Sequence, residues 1–411
     1  MVNGATSDPI VAAKRIEIAR AAAARYGYPA LLLRTVAVTG TNGKTTTVNI
    51  LRALLDLPVA SAASIGTLGV LIGSAGRLLP GGLGLTTPGP DELQRVLREL
   101  VDAGVRSVAM EVSSHALDQH RVHGITFDSA VFTNITRDHL DYHGTMAEYF
   151  AAKAKLINYL KVTGVAVVNA DQPEWASLPI APRLLTYGTA AGDVRAEDIS
   201  FDATGSSWTI RTGDENASVR LPLVGDFNVI NALAAAAAAL SVGIPLHAIA
   251  RSLASVPQIP GRLELIAVSP PVIRDYAHTP DALVRSLAAL RPFVSGKLIL
   301  VFGAGGDRDP GKRPLMGSAA EAGADRVIVT SDNPRIEDPD AIIDDIERGM
   351  TLPHERLTDR RAAIARAIEI AQTGDTVLLA GKGHETYQVV GTEKHPFDER
   401  QIVAELLGLV S

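Results

Sequence analysis

The sequence of 411 residues contains no cysteine. This absence excludes disulfide bonds, thiolate metal sites and cysteine nucleophiles, and it fits a reducing compartment. The sequence also lacks an apolar run of about eighteen residues with suitable flanks, so we expect no membrane-spanning helix. Residues 1–8 are polar and lack the basic-then-apolar pattern of a signal peptide. We therefore expect a cytoplasmic protein.

A large excess of one charge is missing as well. The sequence has 39 Lys and Arg against 45 Asp and Glu, a net charge of −6. Such a balance does not favour binding to nucleic acid or to an anionic membrane. Hydrophobic residues make up 46% and charged residues 20%, which is ordinary for a globular protein. A chain of this length suits two or three domains.

The most informative motif is a loop at residues 39–47, Thr-Gly-Thr-Asn-Gly-Lys-Thr-Thr-Thr. A β-type run at 34–38 precedes the loop, and a helical run at 48–55 follows it. At such a junction the loop amides and the helix N-terminus face a polyphosphate. Lys44 supplies a positive charge and Thr45 can bind Mg²⁺. The motif therefore predicts a site for ATP or GTP.

The spacing of the two loop glycines is unusual. The common phosphate-loop pattern would need glycine at position 38, where the sequence has Val38. Gly40 instead comes shortly before Gly43. The alternative interpretation is a chance glycine turn in front of a helix. We favour the phosphate loop because the preceding strand, the loop glycines, the lysine and the hydroxyl residues are all typical of such a loop.

The fold class predicted from the alternation of strands and helices is α/β. Residues 34–256 are expected to form a central domain of the phosphate-loop ATPase type, with a doubly wound sheet and a small antiparallel appendage at 199–223. Residues 257–411 are expected to form a C-terminal Rossmann-like domain. Residues 1–33 contain a predicted helix at about 10–26.

Polar residues follow the ends of two predicted strands in the central domain. Glu111 ends one strand, and Asn134 and His139 follow the next. Because ligands bind at the carboxyl ends of parallel strands, these residues should lie beside the phosphate loop. Glu111 and His139 are candidate Mg²⁺ ligands. A rival interpretation pairs His139 with His143 on zinc, although Gly144 interrupts the helical spacing.

Two lysines lie on a helix that a capping box opens. Thr145 and Glu148 form the box of a helix that we predict to run to about Leu160, and Lys153 and Lys155 follow. Residues two apart on a helix point to different faces, so one lysine can face the crevice. Composition alone predicts that both are solvated.

Four strand ends of the second domain carry charged and polar residues: 275–280, 303–309, 331–335 and 381–385. Arg308 and Arg335 suit a carboxylate. Asp332 and Glu385 suit an ammonium group. Together they predict a zwitterionic ligand that resembles an amino acid.

These motifs together resemble those of the Mur ligases, and most closely the MurE branch, which adds the third residue of the peptidoglycan stem peptide. The resemblance runs from about Tyr26 to the C-terminus. The matching stretches are 40–47, 110–117, 134–144, 275–283, 305–309, 312–316, 332–335 and 381–385.

The resemblance implies an ATP-dependent ligase with Mg²⁺ that builds cell-wall peptide. A substrate carboxylate attacks the γ-phosphate of ATP to give an acyl phosphate and ADP, an amine then attacks the acyl carbon, and phosphate leaves. The first step depends on positioning and charge neutralisation. Lys153 matches a lysine that Mur ligases carry as a carbamate, an anion able to hold a second Mg²⁺. The form Asp-Asn-Pro-Arg is the one associated with meso-diaminopimelate, whose second carboxylate needs Arg335.

The resemblance also assigns site residues. Metal ligands are Thr45, Glu111, His139 and Lys153, and the catalytic set is Lys44, Glu111, His139 and Lys153. Nucleotide contacts are Gly40, Thr41, Asn42, Gly43, Lys44, Thr45, Thr46, Asn228, Asn231, Arg262, Asp275 and His278. Contacts to the carboxylate acceptor are Thr86, Thr87, Ser113, Gln119 and Arg121. The amino-acid pocket consists of Arg308, Asp332, Asn333, Arg335, Gly381 and Glu385.

The start of the chain departs from the pattern of the MurE branch, whose members begin with a domain that binds the UDP group of the acceptor. Residues 1–33 resemble only the last part of that domain. We therefore expect a chain without the UDP-binding domain, with acceptor recognition supplied by a partner protein. Two alternatives stay open: the same chemistry on an acceptor without UDP, such as a free peptide or another cell-wall or secondary-metabolite intermediate, and a noncatalytic nucleotide-binding partner.

Overall fold

The computed structural model describes residues 9–79, 85–202 and 204–409. Within these ranges the chain divides into two compact units. The first holds the chain up to Pro222 together with Asp226–Pro257, and the second holds Leu223–Gly225 and the chain from Gln258. No helix in the described ranges combines the length and the apolar character needed to cross a membrane.

A mixed sheet forms the centre of the first unit. Its strands are β1 (Arg34–Thr39), β2 (Ala62–Gly66), β3 (Gly69–Ile72), β4 (Arg77–Leu79), β5 (Ser107–Glu111), β6 (Phe127–Phe132), β7 (Leu160–Asn169), β8 (Arg183–Gly188), β9 (Val194–Asp202), β10 (Gly205–Thr212) and β11 (Glu215–Leu221). Their order across the sheet is β11-β10-β9-β8-β7-β6-β1-β5-β2-β3-β4. The strands from β9 through β6, β1 and β5 to β2 are parallel.

The helices of the first unit are α1 (Pro9–Arg25), α2 (Lys44–Leu55), α3 (Pro90–Asp102), α4 (Ser114–Asp118), α5 (Leu140–His143), α6 (Met146–Ala154), α7 (Asp226–Ser241) and α8 (Leu246–Leu253). Short 3₁₀ turns lie at Pro29–Leu32, Lys155–Tyr159 and Pro173–Ser177. Helix α7 packs against α2, and its alanines at 232 and 234–239 are buried. Small side chains allow this close approach of the two helices.

The predicted antiparallel appendage is part of the main sheet. Strand β10 pairs antiparallel with β9 and with β11. The alternating sequence indicated the β10–β11 pair, whereas β9 was not predicted. However, β9 also pairs parallel with β8 through Tyr187 and Val194. The three strands therefore extend the edge of the central sheet. The opposite edge, β2 to β4, is antiparallel too, and the sequence reading did not predict it.

The capping box at the start of α6 is confirmed. Thr145 Oγ1 accepts from the Glu148 amide at 3.2 Å, and the Thr145 amide donates to Glu148 Oε2 at 3.1 Å. The prediction that this helix runs to about Leu160 is wrong, because it ends at Ala154 and a 3₁₀ turn follows. Leu160 already pairs with Phe127 of β6, so sheet pairing takes over there.

The second unit contains another mostly parallel sheet of strands β12 (Glu264–Val268), β13 (Pro271–Asp275), β14 (Leu298–Phe302), β15 (Arg326–Val329), β16 (Glu355–Arg356) and β17 (Thr376–Ala380), in the order β12-β13-β17-β14-β15-β16. A separate hairpin consists of β18 (Tyr387–Val390) and β19 (Glu393–Pro396). The helices are α9 (Pro280–Leu290), α10 (Lys312–Gly323), α11 (Pro339–Glu347), α12 (Arg360–Ile370) and α13 (Glu399–Leu406), with a 3₁₀ turn at Arg291–Phe293. Strands β12 and β16, the hairpin and the 3₁₀ turn were not expected from the sequence.

An ion pair joins α12 to α13 in the interior of this unit. Both Arg360 and Glu399 have fully buried side chains, and Arg360 Nε donates to Glu399 Oε1 at 2.8 Å. Arg360 Nη2 also donates to the carbonyl of Ala380, the last residue of β17, at 2.9 Å. The pair therefore fixes two helices to the end of a strand.

Replacing Arg360 with methionine should strongly destabilise the second unit. The change leaves the Glu399 carboxylate buried without its cation, and breaking a buried pair in this way costs about 3–5 kcal/mol. Urea denaturation would measure the free energy of unfolding. Arg366→Met is the matched control, because Arg366 pairs with Glu355 at the surface and should cost less than about 1 kcal/mol. Equal losses in the two variants would contradict the prediction.

Candidate active site

The loop between β1 and α2 is held in a conformation that requires glycine. Gly40 has φ 149° and Gly43 has φ 84°, and Gly43 caps α2. A Cβ added at Gly43 would overlap Asn231 Oδ1, and one at Gly40 would overlap Thr133 Oγ1. Helix α2 begins at Lys44, so its N-terminal amides adjoin the loop. This is the geometry of an anion-binding loop.

Residues after β6 hold this loop in place. The Asn42 amide donates to Asn134 Oδ1 at 2.9 Å, and Asn134 Nδ2 donates back to the Asn42 carbonyl at 3.1 Å. Thr133 Oγ1 donates to the same carbonyl at 2.8 Å. The Thr41 amide donates to the Asn134 carbonyl at 2.8 Å. The sequence placed Asn134 at a strand end, but its role in shaping the loop follows only from the structure.

Two lysine side chains converge on the carbonyl oxygen of Gly40. Lys44 Nζ donates to it at 2.8 Å and to the Thr41 carbonyl at 2.8 Å. Lys153 Nζ donates to the Gly40 carbonyl at 2.8 Å as well. Burial, together with the nearby Lys44 ammonium, lowers the pKa of Lys153 well below its usual value. The first unit therefore concentrates positive charge, and a readily deprotonated amine, against the loop.

The expectation from composition that Lys153 and Lys155 are both solvated is wrong for Lys153. Its side chain is 1% exposed, and its Nζ lies 4.4 Å from the centre of the Tyr149 ring. Lys155 follows the helix on a different face, and its Nζ pairs with Asp118 Oδ1 at 2.8 Å. Helical geometry separates the two side chains, but only the packing of α6 decides which is buried.

Glu111 lies at the end of β5, next to the start of α2. Thr45 Oγ1 donates to Glu111 Oε2 at 3.1 Å. The Thr67 amide donates to Oε1 at 2.8 Å, and Thr67 Oγ1 donates to Oε2 at 3.2 Å. Thr67 was missed because the turn between β2 and β3 was not predicted. A carboxylate with hydroxyl oxygens offers the hard donors that suit Mg²⁺.

His139 lies just before α5 in a left-handed conformation, with φ 52°. Its Nε2 is 3.3 Å from Asp138 Oδ2, and its ring centre is 4.8 Å from that of His115. Burial lowers the pKa of His139 to about 4, although Asp138 opposes the shift. The imidazole is therefore neutral near pH 7, the form that can bind a metal.

The zinc alternative that pairs His139 with His143 finds little support in the geometry. His143 Nε2 lies 2.9 Å from the hydroxyl of Ser114, in a buried position. Helix α5 ends at His143, and Gly144 has φ 77°, so the helical spacing does not continue. Within 9–79, 85–202 and 204–409, no group of three or more His, Asp or Glu side chains is arranged to hold a metal.

The five residues assigned to the acceptor form a connected network beside Glu111. Thr87 Oγ1 donates to the Glu111 carbonyl at 2.9 Å and accepts from the Ser113 amide at 3.1 Å. Arg121 Nη1 donates to the Thr87 carbonyl at 3.0 Å, and its Nε donates to Gln119 Oε1 at 3.0 Å. The fifth residue, Thr86, has its hydroxyl 3.3 Å from that of Thr67.

Two residues assigned to the nucleotide lie on α7. Asn231 Nδ2 donates to Asn228 Oδ1 at 3.2 Å, and both side chains are buried. Asn231 lies directly against Gly43 of the loop. The structure thus brings a residue more than 180 positions later in the chain to the phosphate loop.

Three further residues assigned to the nucleotide belong to the second unit. The Asp275 carboxylate accepts from the amides of Leu263 and Ala277 at 2.7 and 2.9 Å and from the Ser286 hydroxyl at 2.9 Å. Arg262 lies over the Tyr276 ring at 4.7 Å. His278 Nδ1 is 2.8 Å from the Tyr276 carbonyl oxygen. Asp275 therefore fixes the end of β13, while a contact with nucleotide stays a prediction.

The acidic side of the predicted amino-acid pocket follows β15 and β17. Asn333 Nδ2 donates to Glu385 Oε2 at 2.8 Å. Gly381 has φ 117°, and a Cβ there would lie 3.2 Å from Asp332 Oδ2. Asp332 Oδ1 is buried and has no hydrogen-bond donor among the described residues. Buried acceptors are normally paired with a donor, and the ammonium group of a ligand can supply the donor that this oxygen lacks.

The basic side of the pocket contains two arginines. Arg335 has φ 54°, and its Nη1 donates to the Gly306 carbonyl at 2.6 Å. Burial and the neighbouring charge of Arg308 lower the pKa of Arg335, which nevertheless stays cationic near pH 7. Arg308 itself is exposed. Two like charges held close together are suited to an anion such as a carboxylate.

Comparison with known families gives two matches that cover most of the chain. The model of the Mur ligase middle domain matches residues 38–239, and that of the Mur ligase, glutamate ligase domain, matches residues 261–383. A UDP-N-acetylmuramoyl-L-alanyl-D-glutamate–2,6-diaminopimelate ligase of Synechococcus elongatus is 49% identical, over 92% of this chain and 78% of the relative. The ligase of the same name from Geobacillus kaustophilus is 45% identical, over 96% and 82%.

Solved structures agree with these matches. A structure of UDP-N-acetylmuramoyl-L-alanyl-D-glutamate–2,6-diaminopimelate ligase is similar with a TM-score of 0.65 and 37% identity, covering 96% of this chain and 82% of that one. Folylpolyglutamate synthase from Mycobacterium tuberculosis gives a TM-score of 0.75 at 21% identity, covering 90% and 92%. The second likeness shows the fold alone.

Asn134→Ala should weaken nucleotide binding without unfolding the protein. The change removes both side-chain hydrogen bonds to Asn42, worth about 1–3 kcal/mol together, so the Kd for ADP should rise about tenfold. Isothermal titration calorimetry would measure the Kd. Asn216→Ala, at an exposed position of β11, is the matched control and should leave the Kd unchanged. An unaltered Kd for Asn134→Ala would show that the loop holds its shape without these bonds.

Proposed function

This chain belongs to the Mur ligase family, and we propose that it is an ATP-dependent ligase that joins meso-diaminopimelate to a peptide carboxylate through an acyl phosphate. The acceptor is UDP-N-acetylmuramoyl-L-alanyl-D-glutamate, the compound in the names of its relatives. The observation that carries the proposal is the convergence of Lys44 and Lys153 on the Gly40 carbonyl. Lys44 can neutralise phosphate charge at this loop, and the buried amine of Lys153 beside it is placed to become a metal-binding anion.

In the first step the acceptor carboxylate attacks the γ-phosphorus of ATP, and ADP leaves. The amides at the start of α2 and the Lys44 ammonium would stabilise the charge on the transferred phosphate. Thr45 and Glu111 would hold Mg²⁺, which when bound draws charge from the phosphate oxygens. Thr133 and Asn134 keep the loop in the conformation that phosphate binding needs.

Lys153 is proposed to act as a carbamate. Its nitrogen would attack the carbon of CO₂ and lose a proton, which turns the side chain into an anion. This reaction needs the neutral amine, and burial favours that form because it lowers the pKa of Lys153. Together with His139, the carbamate would provide ligands for a second Mg²⁺.

In the second step the amine of the incoming amino acid attacks the acyl carbon, and phosphate leaves. Asp332 and Glu385 are proposed to hold an ammonium group of this amino acid. Arg308 and Arg335 are proposed to hold a carboxylate. Arginine suits this task because its guanidinium can donate two parallel hydrogen bonds to one carboxylate.

Amine-dependent release of ADP tests the proposal. The protein would be incubated with ATP, Mg²⁺ and meso-diaminopimelate, together with either UDP-N-acetylmuramoyl-L-alanyl-D-glutamate or the dipeptide L-alanyl-D-glutamate. We expect turnover with the UDP-linked acceptor. Turnover with the dipeptide alone would instead identify an acceptor without UDP. If no combination of acceptor and amine raises ATP hydrolysis above background, the assignment as a ligase is wrong.

Arg335→Ala should reduce the use of meso-diaminopimelate far more than that of L-lysine, which lacks the second carboxylate. A hydrogen bond to a charged group contributes about 1.5–3 kcal/mol. Its loss corresponds to a fall in kcat/KM of roughly 10- to 150-fold. The kinetics of ADP release with each amine would measure this selectivity. Arg348→Ala is the control, since this side chain is 71% exposed on the same unit. Equal falls for both amines would remove Arg335 from the carboxylate site.

Lys153→Ala should abolish turnover, and short carboxylic acids such as acetate or propionate should restore part of it. The added carboxylate would replace the lost carbamate anion in the space left by the side chain. Measurement of kcat against acid concentration would detect this rescue, with Lys44→Ala as the comparison that the acids should not rescue. Failure of rescue in a folded Lys153→Ala protein would favour a purely structural lysine.

A further inference from the structure

A buried lysine lies behind the acidic side of the pocket. The side chain of Lys382 is fully buried, and its Nζ donates to Asn333 Oδ1 at 3.0 Å. The same nitrogen is 3.4 Å from Glu385 Oε2 and 3.6 Å from Asp332 Oδ1. One cation therefore touches three residues assigned to the amino acid. Neither the phosphoryl transfer nor the carboxylate site described above uses it.

The neighbours of Asn333 leave its amide a single orientation. Oδ1 accepts from the Lys382 ammonium and, at 2.9 Å, from the Val389 amide, and both groups can only donate. Nδ2 faces Glu385 Oε2, which as a carboxylate can only accept. A flipped amide would bring donor against donor and acceptor against acceptor. The two hydrogens of Nδ2 are thus held on the side of Glu385.

The orientation matters because an amide group presents either a donor or an acceptor to a ligand. Nδ2 carries two hydrogens, and the described residues take one of them, through Glu385. The second is a donor suited to a ligand carboxylate.

We propose that Lys382 is a positioning residue that determines specificity: it holds the Asn333 amide in the orientation with which the pocket accepts the ammonium and carboxylate of one amino-acid centre. This inference rests on the proposed function, because it assumes that the pocket binds the incoming amino acid. Lys382 does not touch the reacting atoms. It acts through Asn333, so its effect should depend on that residue.

Steady-state kinetics of ADP release by this protein would test the proposal. Lys382→Met should raise the KM for meso-diaminopimelate at least about tenfold, while the KM for ATP stays within about twofold. A residue with only a structural role would change both constants and the stability together. Lys297→Met, at an exposed position of the same unit, is the matched control and should leave both constants unchanged.

A double-mutant cycle identifies the route of the effect. Asn333→Ala should itself raise the KM for meso-diaminopimelate, and adding Lys382→Met should raise it no further. Multiplied effects in the double variant would overturn the proposed action through Asn333. If Lys382→Met does not fold, Lys382→Gln keeps a donor for Asn333 Oδ1 and should hold the KM within about threefold of the wild type. A tenfold rise with Lys382→Gln would also overturn the proposal.

The wild-type measurement separates this inference from the function on which it rests. Wild-type protein without turnover dependent on diaminopimelate would overturn both. Wild-type turnover with an unchanged KM in folded Lys382→Met would overturn only the role of Lys382.

Discussion

The register of β1 between β5 and β6 is the constraint on which the first site depends. Val38 pairs with Glu111 on one side, and Thr39 pairs with Phe132 on the other. Because parallel strands end at the same edge, this register places Glu111, the phosphate loop and the segment from Thr133 within hydrogen-bonding reach. A shift by one residue would turn the side chain of Glu111 to the other face of the sheet.

Buried basic side chains organise both units in the same physical manner. Lys153 in the first unit, and Lys382 and Arg360 in the second, are almost inaccessible, and each donates to oxygen atoms at a strand end or a loop. Desolvation makes a buried cation costly unless such acceptors surround it. This desolvation cost is offset by hydrogen bonds to a loop or strand end, which the buried side chain fixes next to groups assigned to ligand binding.

Much of the fold could be predicted because its signals are local. The capping box of α6, the strand of β14 and the loop before α2 depend on neighbouring residues and were identified correctly. The edge strands β2 to β4 and the hairpin β18–β19 were missed, because their pairing depends on partners elsewhere in the sheet or on a short turn. Thr67 was not identified as a site residue because the β2–β3 turn was not predicted. The burial of Lys153 depends on which face of α6 packs inward, and composition gave the wrong expectation.

The sequence by itself determined the class of fold, the phosphate loop and the set of polar strand ends, since each is encoded by residue types at close spacing. Its resemblance to the Mur ligases, which the comparisons confirm, also came from these short motifs. Only the tertiary structure decided that Lys44 and Lys153 share one carbonyl, that Asn134 shapes the loop, and that Lys382 orients Asn333. These contacts join residues that lie far apart in the chain or depend on burial. Spacing along the sequence carries no information about either.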